Sequence, residues 1–466
     1  MKVKELKAIY YAEDAPKGDK RDVYNCQNSV YLLNRKIKMD NTYEFSKKLT
    51  VKKSYDVIVA GGGVAGIAAA ITVARNGKSV LLIEKANILG GLATLGQINL
   101  FVPMCNGRGK QIIFGMAEEL LRKSALYGYD TIPKDWKEGE PKEPTKARYV
   151  QQYSPYIFAL QLTEEVKNAG VDILFDCIAS YPVMEGKHCA GVITDSKSGL
   201  ELYKCKMVID TTGDADLLRR SGMPTVAGEN YYTYVTKMVT LKSCEEALKQ
   251  GNIRHLFYYN YMESGINLYG DGQPDDIPKW SGLTVDEVSD YLVRIHLDRL
   301  GQLKKMPRLE RDLAMIPMMP NFRTTCRIKG DYALKVTDCY KHFDDSIGAV
   351  NDFDHRDHLW EIPFRSLVMR GWDNMITAGR SAAGEGWGWD VIRVIPPAII
   401  TGQAAGEACC RAIEENTEIA DVDIKTLQLN LEKANVMIHF PDEYIPEDRT
   451  VIIHGKTQDG HIEGHI

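Results

Sequence analysis

The stretch "YDVIVAGGGVAGIAAAI", Tyr55 to Ile71, decides how this chain is read. Residues 55–60 are β-branched and apolar at successive positions, the pattern of a strand buried on both faces. Three glycines follow, then small side chains over 64–76 that stop at Asn76-Gly77, a helix C-cap signal. "SVLLIE" at 79–84 is the next buried strand, so the unit predicts a parallel sheet. Gly61, Gly63 and Gly66 fit G-x-G-x-x-G between strand and helix. Gly61 makes the tight turn, Gly63 admits a diphosphate to the main chain, and Gly66 lets helix and strand pack closely. The free N–H groups at the helix start, around Val64 and Ala65, then face the anion. Glu84, 23 positions beyond Gly61, ends the second strand, where a carboxylate accepts bonds from ribose hydroxyls, and Lys85 follows it.

Beyond Glu84 comes "KANILGGLATLG". Gly90 and Gly91, followed by Ala93 and Thr94, offer a second close approach of the backbone. A flavin needs one, because its ribityl chain and ring system run on past the diphosphate; a nicotinamide does not. An ordinary loop is the other reading of the same residues.

The whole chain sets the bounds. At 466 residues it is too long for one ordinary core. Hydrophobic residues are 44% and charged residues 26%, with a net charge of −5, which argues against a nucleic-acid or membrane-surface binder. There is no apolar run long enough to span a membrane, and the start lacks the pattern of a secretory signal, so a cytoplasmic protein is expected. The ten cysteines contain no Cys-x-x-Cys and read as scattered thiols in a reducing compartment. Cys409 and Cys410 are neighbours in a helix and point apart.

Five segments are expected. Residues 1–53 form an N-terminal extension and 54–225 the first part of a nucleotide-binding domain. Residues 226–355 form an inserted, tyrosine-rich substrate or cap domain. Residues 356–420 return to the first domain, and 421–466 are a C-terminal helix and tail. Residues 131–148 are expected as an exposed loop, and "AGEGWGWD" at 383–390 as a flexible one. Two hairpin-like strands near 179–203 precede a separate buried strand, "KMVIDTTGDAD" at 206–216. A long helix is expected near 285–306, with Thr284 and Glu287 as a capping box.

Several motifs in order resemble the FAD-dependent oxidoreductase family of the glutathione-reductase-like superfamily, distantly related to fumarate reductase and heterodisulfide reductase flavoproteins. They are "GGLATLG" at 90–96, "FGMAEELL" at 114–121, "VIDTTGDADL" at 208–217, "FRTTCRIKGDYAL" at 322–334, "FDDSIG" at 343–348, "WEIPFRSLVMRGWDNMITAGR" at 360–380 and "RVIPPAIITGQAAGEA" at 393–408. The resemblance implies an α/β fold with a Rossmann-like parallel-sheet FAD domain built from discontinuous segments, and an inserted α+β substrate domain. It implies FAD with its ADP half on Gly61–Gly66 and Glu84, Gly213 and Asp214 near it, and Gly379 and Arg380 toward the ribityl chain and diphosphate. The N-terminus of the helix after Pro396 would point at the flavin. Residues 86–104 hold no histidine for a covalent link, so the FAD is expected to be non-covalent. Cys326 stands where the family usually has arginine.

The candidate catalytic residues are Arg323, Arg327, His355, His358 and Arg393. Arg323 and Arg327, four apart, suit a carboxylate substrate or the diphosphate, or else structural ion pairs. His355 and His358 read either as a substrate-side acid/base pair or as exposed loop histidines. Their spacing is half a metal site with no visible second half, so no metal is assigned. Arg393, before Pro396-Pro397, is expected beside the flavin. Tyr231, Tyr232, Tyr234 and Tyr332 line a pocket or simply pack, and Trp387 and Trp389 form a lid or pack. The function expected is hydride transfer between flavin and a small organic molecule, possibly a carboxylate, with an unidentified electron donor or acceptor. The alternatives are an electron-relay flavoprotein subunit and, second, a flavin-dependent RNA-modifying enzyme.

Overall fold

The computed structural model describes residues 46–261, 266, 270–449 and 451, so most of the expected N-terminal extension and the end of the tail lie outside the described residues. The chain divides into two units, Met1–Lys48 and Leu49–Ile466. In the second, β1 (Thr50–Ala60) leads through α1 (Val64–Arg75) to β2 (Val80–Ile83). Then follow α2 (Gly115–Leu126), α3 (Pro155–Asn168), β3 (Asp172–Leu174), β4 (Ile178–Glu185), β5 (His188–Ser196) and β6 (Gly199–Asp210). Next are β7 (Val235–Thr240), β8 (Phe257–Tyr261), α4 (Val285–Lys304), β9 (Arg311–Met315), β10 (Met375–Thr377), α5 (Trp387–Arg393) and α6 (Ile395–Glu415).

The main sheet has seven strands in the order β3-β2-β1-β6-β5-β4, and β10 pairs with the end of β6. β3, β2, β1, β6 and β10 run parallel, while the β4–β5–β6 meander is antiparallel. The fold is thus α/β with a mostly parallel sheet, and β10 returns to it more than 160 residues after β6. The strand expected over 206–216 is the end of β6, a single 12-residue strand that begins at Gly199. Its first half pairs with β5 and its second half with β10, so one strand serves both partners. β1 likewise begins at Thr50, earlier than the apolar run, because its exposed first residues pair with Glu201 and Leu202 at the start of β6.

α1 and α6 pack against each other beneath the sheet's centre. Residues 64–73 of α1 and 395–410 of α6 are all buried, which explains the scarcity of polar side chains in both. Gly402 and Gly406 face Ala65 and Ala69, and a methyl on either glycine would strike the α1 backbone. Small residues one turn apart on both helices set this close approach.

The second region carries a three-stranded antiparallel sheet, β8-β7-β9, and α4. Thr284 Oγ1 accepts the Glu287 N–H at 3.2 Å, and the Glu287 carboxylate accepts from Ser281, Gly282 and Leu283 N–H groups. An aromatic cluster of Tyr232, Tyr234, Trp280, Tyr291 and Phe322 joins α4 to the strands.

Two loop expectations are corrected. The segment 131–148 is irregular, but its Trp136 is completely buried, stacked on Tyr149 with ring centroids 5.0 Å apart. "WGWDVIR" is helical rather than flexible: Trp387 donates its indole N–H to Asp352 Oδ2 at 2.6 Å and Trp389 donates to the Arg380 carbonyl at 2.7 Å. The indoles are therefore packed anchors and not a lid.

Candidate functional site

At the end of β1 the chain turns at Gly61, where φ is +105° and a methyl would strike the Thr211 carbonyl. Gly66 lies against the Gly61 carbonyl oxygen, with no room for a side chain. Gly63 differs. It is extended, with φ −68° and ψ 175°, and no atom lies within 4 Å of where its Cβ would sit. The Gly90–Gly91 loop runs beside it, with Gly90 N–H donating to Gly62 O at 2.8 Å and both glycines at positive φ.

One cavity of about 550 Å³ starts at this turn, a volume typical of a cofactor or substrate site. Gly61, Gly63, Val64, Ala65, Glu84, Lys85, Gly90, Gly91 and Ala93 line it around the turn. Gly213, Gly379, Arg380, Arg323, Arg393, Ile395 and Ala398 also line it, and Gly379 lies close to both Ala65 and Ala398. Four of the residues expected to hold the cofactor do not line it. Gly66 is used in packing, Thr94 turns its hydroxyl to the Leu89 carbonyl at 2.6 Å, Asp214 pairs with Arg380, and Pro396 is buried in the first turn of α6.

Two helix N-termini open on the cavity. α1 starts at Gly63 and α6 at Val394, neither has a side-chain cap, and neither has an acid in its first turn. The N–H groups at the start of α1 carry partial positive charge and suit an anion; at α6 Pro396 and Pro397 have no N–H and Ala398 N–H bonds Val394 O, so that end offers Ile395 N–H and the helix dipole. Glu84 is buried at the adenosine end expected from sequence. Its Oε2 accepts from Gly62 N–H at 2.6 Å and its Oε1 from Ala86 N–H at 2.8 Å, and each oxygen keeps a second lone pair.

Three arginines, Arg323, Arg380 and Arg393, also line the cavity. Arg380 Nε donates to the Gly213 carbonyl at 2.9 Å, its Nη2 to Asp214 Oδ1 at 2.6 Å, and its Nη1 to the Phe322 carbonyl. It thereby ties the loops after β6 and β9 to β10. Arg393 directs Nε and Nη2 at Asp390 Oδ1. Burial, and then the charges of Arg323 and Arg380, hold its pKa below the ordinary arginine value. Arg323 is half-buried, and its Nη1 is buried with no hydrogen-bond partner among the described residues.

The expected pairing of Arg323 with Arg327 does not form. Arg327 lies in a short strand, Cys326–Ile328, over the Trp389 ring at 5.6 Å, outside the cavity lining. His355 and His358 are buried, so the exposed-loop reading fails; neither lines the cavity, and His355 packs against Trp387 with centroids 5.9 Å apart. Of the tyrosines, Tyr234 lines the cavity, while Tyr332 donates to Asp338 at 2.7 Å elsewhere.

Two buried groups near the site were not singled out in the sequence, Asp210 within "VIDTTGDADL" and Lys237 outside any motif. Asp210, at the end of β6, accepts from Thr212, Leu217 and Leu218 N–H groups and so shapes the turn holding Gly213; burial pushes its pKa up to about 6. Lys237 is almost wholly buried on β7, two residues after the cavity-lining Val235, and donates to Asn99 Oδ1 at 3.0 Å. Burial pulls its pKa down from 10.5 to about 8. A folded pKa below the unfolded one means that the charge costs stability at neutral pH. That cost is relieved as pH rises from about 8 toward 10.5, by up to roughly 3 kcal/mol. Denaturant titrations of wild type and Lys237→Met over this window check the point: the wild type gains stability relative to the variant as pH rises.

Residues 56–291 and 273–431 match the family described as FAD dependent oxidoreductase. The chain belongs to that family. FAD is its cofactor, and the glycine turn, the two uncapped helix starts and the cavity joining them fit such a molecule. The chain is 26% identical over 278 residues to a probable electron transfer flavoprotein-quinone oxidoreductase, YdiS, of Escherichia coli, covering 56% of this chain and 60% of that one. It is 48% identical over 46 residues to a 4-oxocyclohexanecarboxylate 2-dehydrogenase of Sinomonas cyclohexanicum, covering 10% and 8%. The chain spans 60% or less of the length of these relatives. Among solved structures, p-nitrophenol 4-monooxygenase PnpA of Pseudomonas putida aligns with a TM-score of 0.43 at 15% identity, covering 82% of this chain and 86% of that one. No described helix is long and apolar enough to cross a membrane.

Proposed function

We propose that this flavoprotein transfers a hydride between FAD and a small organic acid, whose carboxylate is held by Arg323. Bound FAD supplies the two-electron chemistry. Its diphosphate is assigned to the N–H groups at Val64 and Ala65, its ribose to Glu84, and its ring to the part lined by Arg393, Ile395 and Ala398.

The observation that carries the substrate class is Arg323. Arg380 and Arg393 each have a carboxylate of their own, Asp214 and Asp390. Arg323 lines the same cavity with Nη1 buried and without a partner among the described residues. A buried guanidinium N–H left unpaired is costly, and a substrate carboxylate satisfies it. Arg393, which lines the cavity with Nε and Nη2 held by Asp390, is read as the proton donor. The segment 226–355 is read as the substrate-facing part, because Tyr234, Val235 and Phe322 close the cavity there. The nine described cysteines are free thiols, which supports a reducing, cytoplasmic setting.

The test is anaerobic. The bound flavin is reduced with dithionite and mixed with α,β-unsaturated carboxylic acids, whose β-carbon takes the hydride and α-carbon the proton, and with their neutral amides. Acids are expected to reoxidise it faster, and Arg323→Met to lower kcat/KM for acids by about 10- to 100-fold with the flavin spectrum unchanged. Equal rates with acids and amides would reject the assignment. An electron-relay subunit is the second reading, supported by the similarity to the E. coli protein; sustained turnover of an organic acid without a protein partner would exclude it.

A further inference from the structure

Among the described residues, one cluster of potential metal ligands stands apart from the cavity: His342, Glu361 and His439. We propose that these three side chains bind a divalent transition-metal ion of the zinc class. Glu361 is wholly buried on the strand Leu359–Pro363. Its Oε1 lies 2.6 Å from His342 Nδ1 and its Oε2 lies 3.0 Å from His439 Nδ1. The Phe343 N–H also donates to Oε2 at 2.8 Å, which fixes the carboxylate. The three ligand atoms all lie within 4.8 Å of one another.

The orientation of His342 points to a cation. Its Nε2 lies 3.0 Å from Asp442 Oδ1, so both ring nitrogens meet carboxylate oxygens. A neutral imidazole has one N–H and one lone pair, and cannot satisfy both. The ring therefore carries a second proton, or its Nδ1 lone pair holds a metal in the proton's place. In the metal form, Asp442 takes the outer N–H and orients the ring, the usual support for a metal-bound histidine. Two imidazoles and one carboxylate, without thiolate, suit zinc-like ions. Tetrahedral ligands about 2.05 Å from zinc stand roughly 3.3 Å apart. His342 and His439 are 40% and 45% exposed, so the slight outward shift this requires is open to them, and the fourth position is left to water.

The ion would fasten the chain near its C-terminal end to the body. The segment carrying His439 already lies on the hairpin around Glu361, through Ser346 Oγ to the Ile438 carbonyl and Ala349 N–H to the Met437 carbonyl. His342, Glu361 and His439 are far apart in sequence, which is why no spacing motif shows them.

The test is zinc binding to the full-length, FAD-loaded protein, followed by calorimetry and by melting temperature. His454, His461 and His465 also offer imidazoles, so the double variant His342→Gln/His439→Gln is the reference. Wild type is expected to bind one zinc equivalent more than the double variant and to melt a few degrees higher in excess zinc. The exposed single variant His439→Gln, which leaves Glu361 and its core contacts in place, should lose the same equivalent. Equal stoichiometry and equal zinc response in wild type and variants would overturn the proposal.

Discussion

Replacing Gly63 with aspartate is expected to abolish FAD binding and leave the protein folded. Gly63 is the N-cap of α1, its backbone is extended, and open space surrounds its Cβ direction. Aspartate fits that conformation without strain, and as an N-cap it is better than glycine by roughly a few tenths of a kcal/mol. Its carboxylate would bond the N–H groups at the helix start, which are the ones assigned to the diphosphate. The cofactor then loses about two charge-assisted hydrogen bonds and meets a like charge, a loss of about 3–6 kcal/mol, so its affinity falls at least about 100-fold. A colourless preparation with an unchanged or slightly raised apo melting temperature is the expected result. Gly61→Asp and Gly66→Asp should behave differently, since a side chain at either position collides with backbone and the fold itself suffers.

The second large effect is Gly402→Leu. Gly402 touches the Ala65 backbone where α6 crosses α1, and neither helix can move without disturbing β1 or β10. Overpacking such a contact costs about 3 kcal/mol or more, and here the obstacle is main chain, which cannot rotate away. A melting temperature lower by about 5–10 °C is expected. Because Ala65 and Ala398 both line the cavity, separating the helices also moves apart the two helix starts that border it. Thermal denaturation, read beside FAD content, checks both consequences. A variant as stable as wild type would mean that the helices do not meet at Gly402.

The parts of this fold that were legible in the sequence are those where one residue type has one physical use. The strand–glycine–helix run at 55–71 is such a case, since Gly61 and Gly66 are required by collisions and Gly63 leaves an opening. The returning strand at 375–377 and the long buried helix after Pro396 were legible for the same reason, as continuous apolar runs. What escaped was tertiary. "GEGWGWD" has the composition of a flexible loop, yet Asp352 and the Arg380 carbonyl, both distant in sequence, bind its indoles and hold a helix there. Arg323 and Arg327 look equivalent at a spacing of four, and a short strand sends only one of them to the cavity. His355 and His358 look like surface histidines beside charged neighbours, but the buried Asp352 carboxylate accepts from the His355 N–H and draws that turn inward. Asp210 sits inside "VIDTTGDADL" without its role showing there, and Lys237 lies in no motif; burial marks both.

The proposed site puts a diphosphate on the start of α1 and the flavin ring it carries against the start of α6. A crystal structure of the FAD-loaded protein tests it most directly. The prediction is diphosphate oxygens within hydrogen-bond distance of the Val64 or Ala65 N–H, the ribose at Glu84, and the ring system beside Arg393 and Ile395. FAD bound elsewhere, or bound here with its ring toward Glu84, would contradict it.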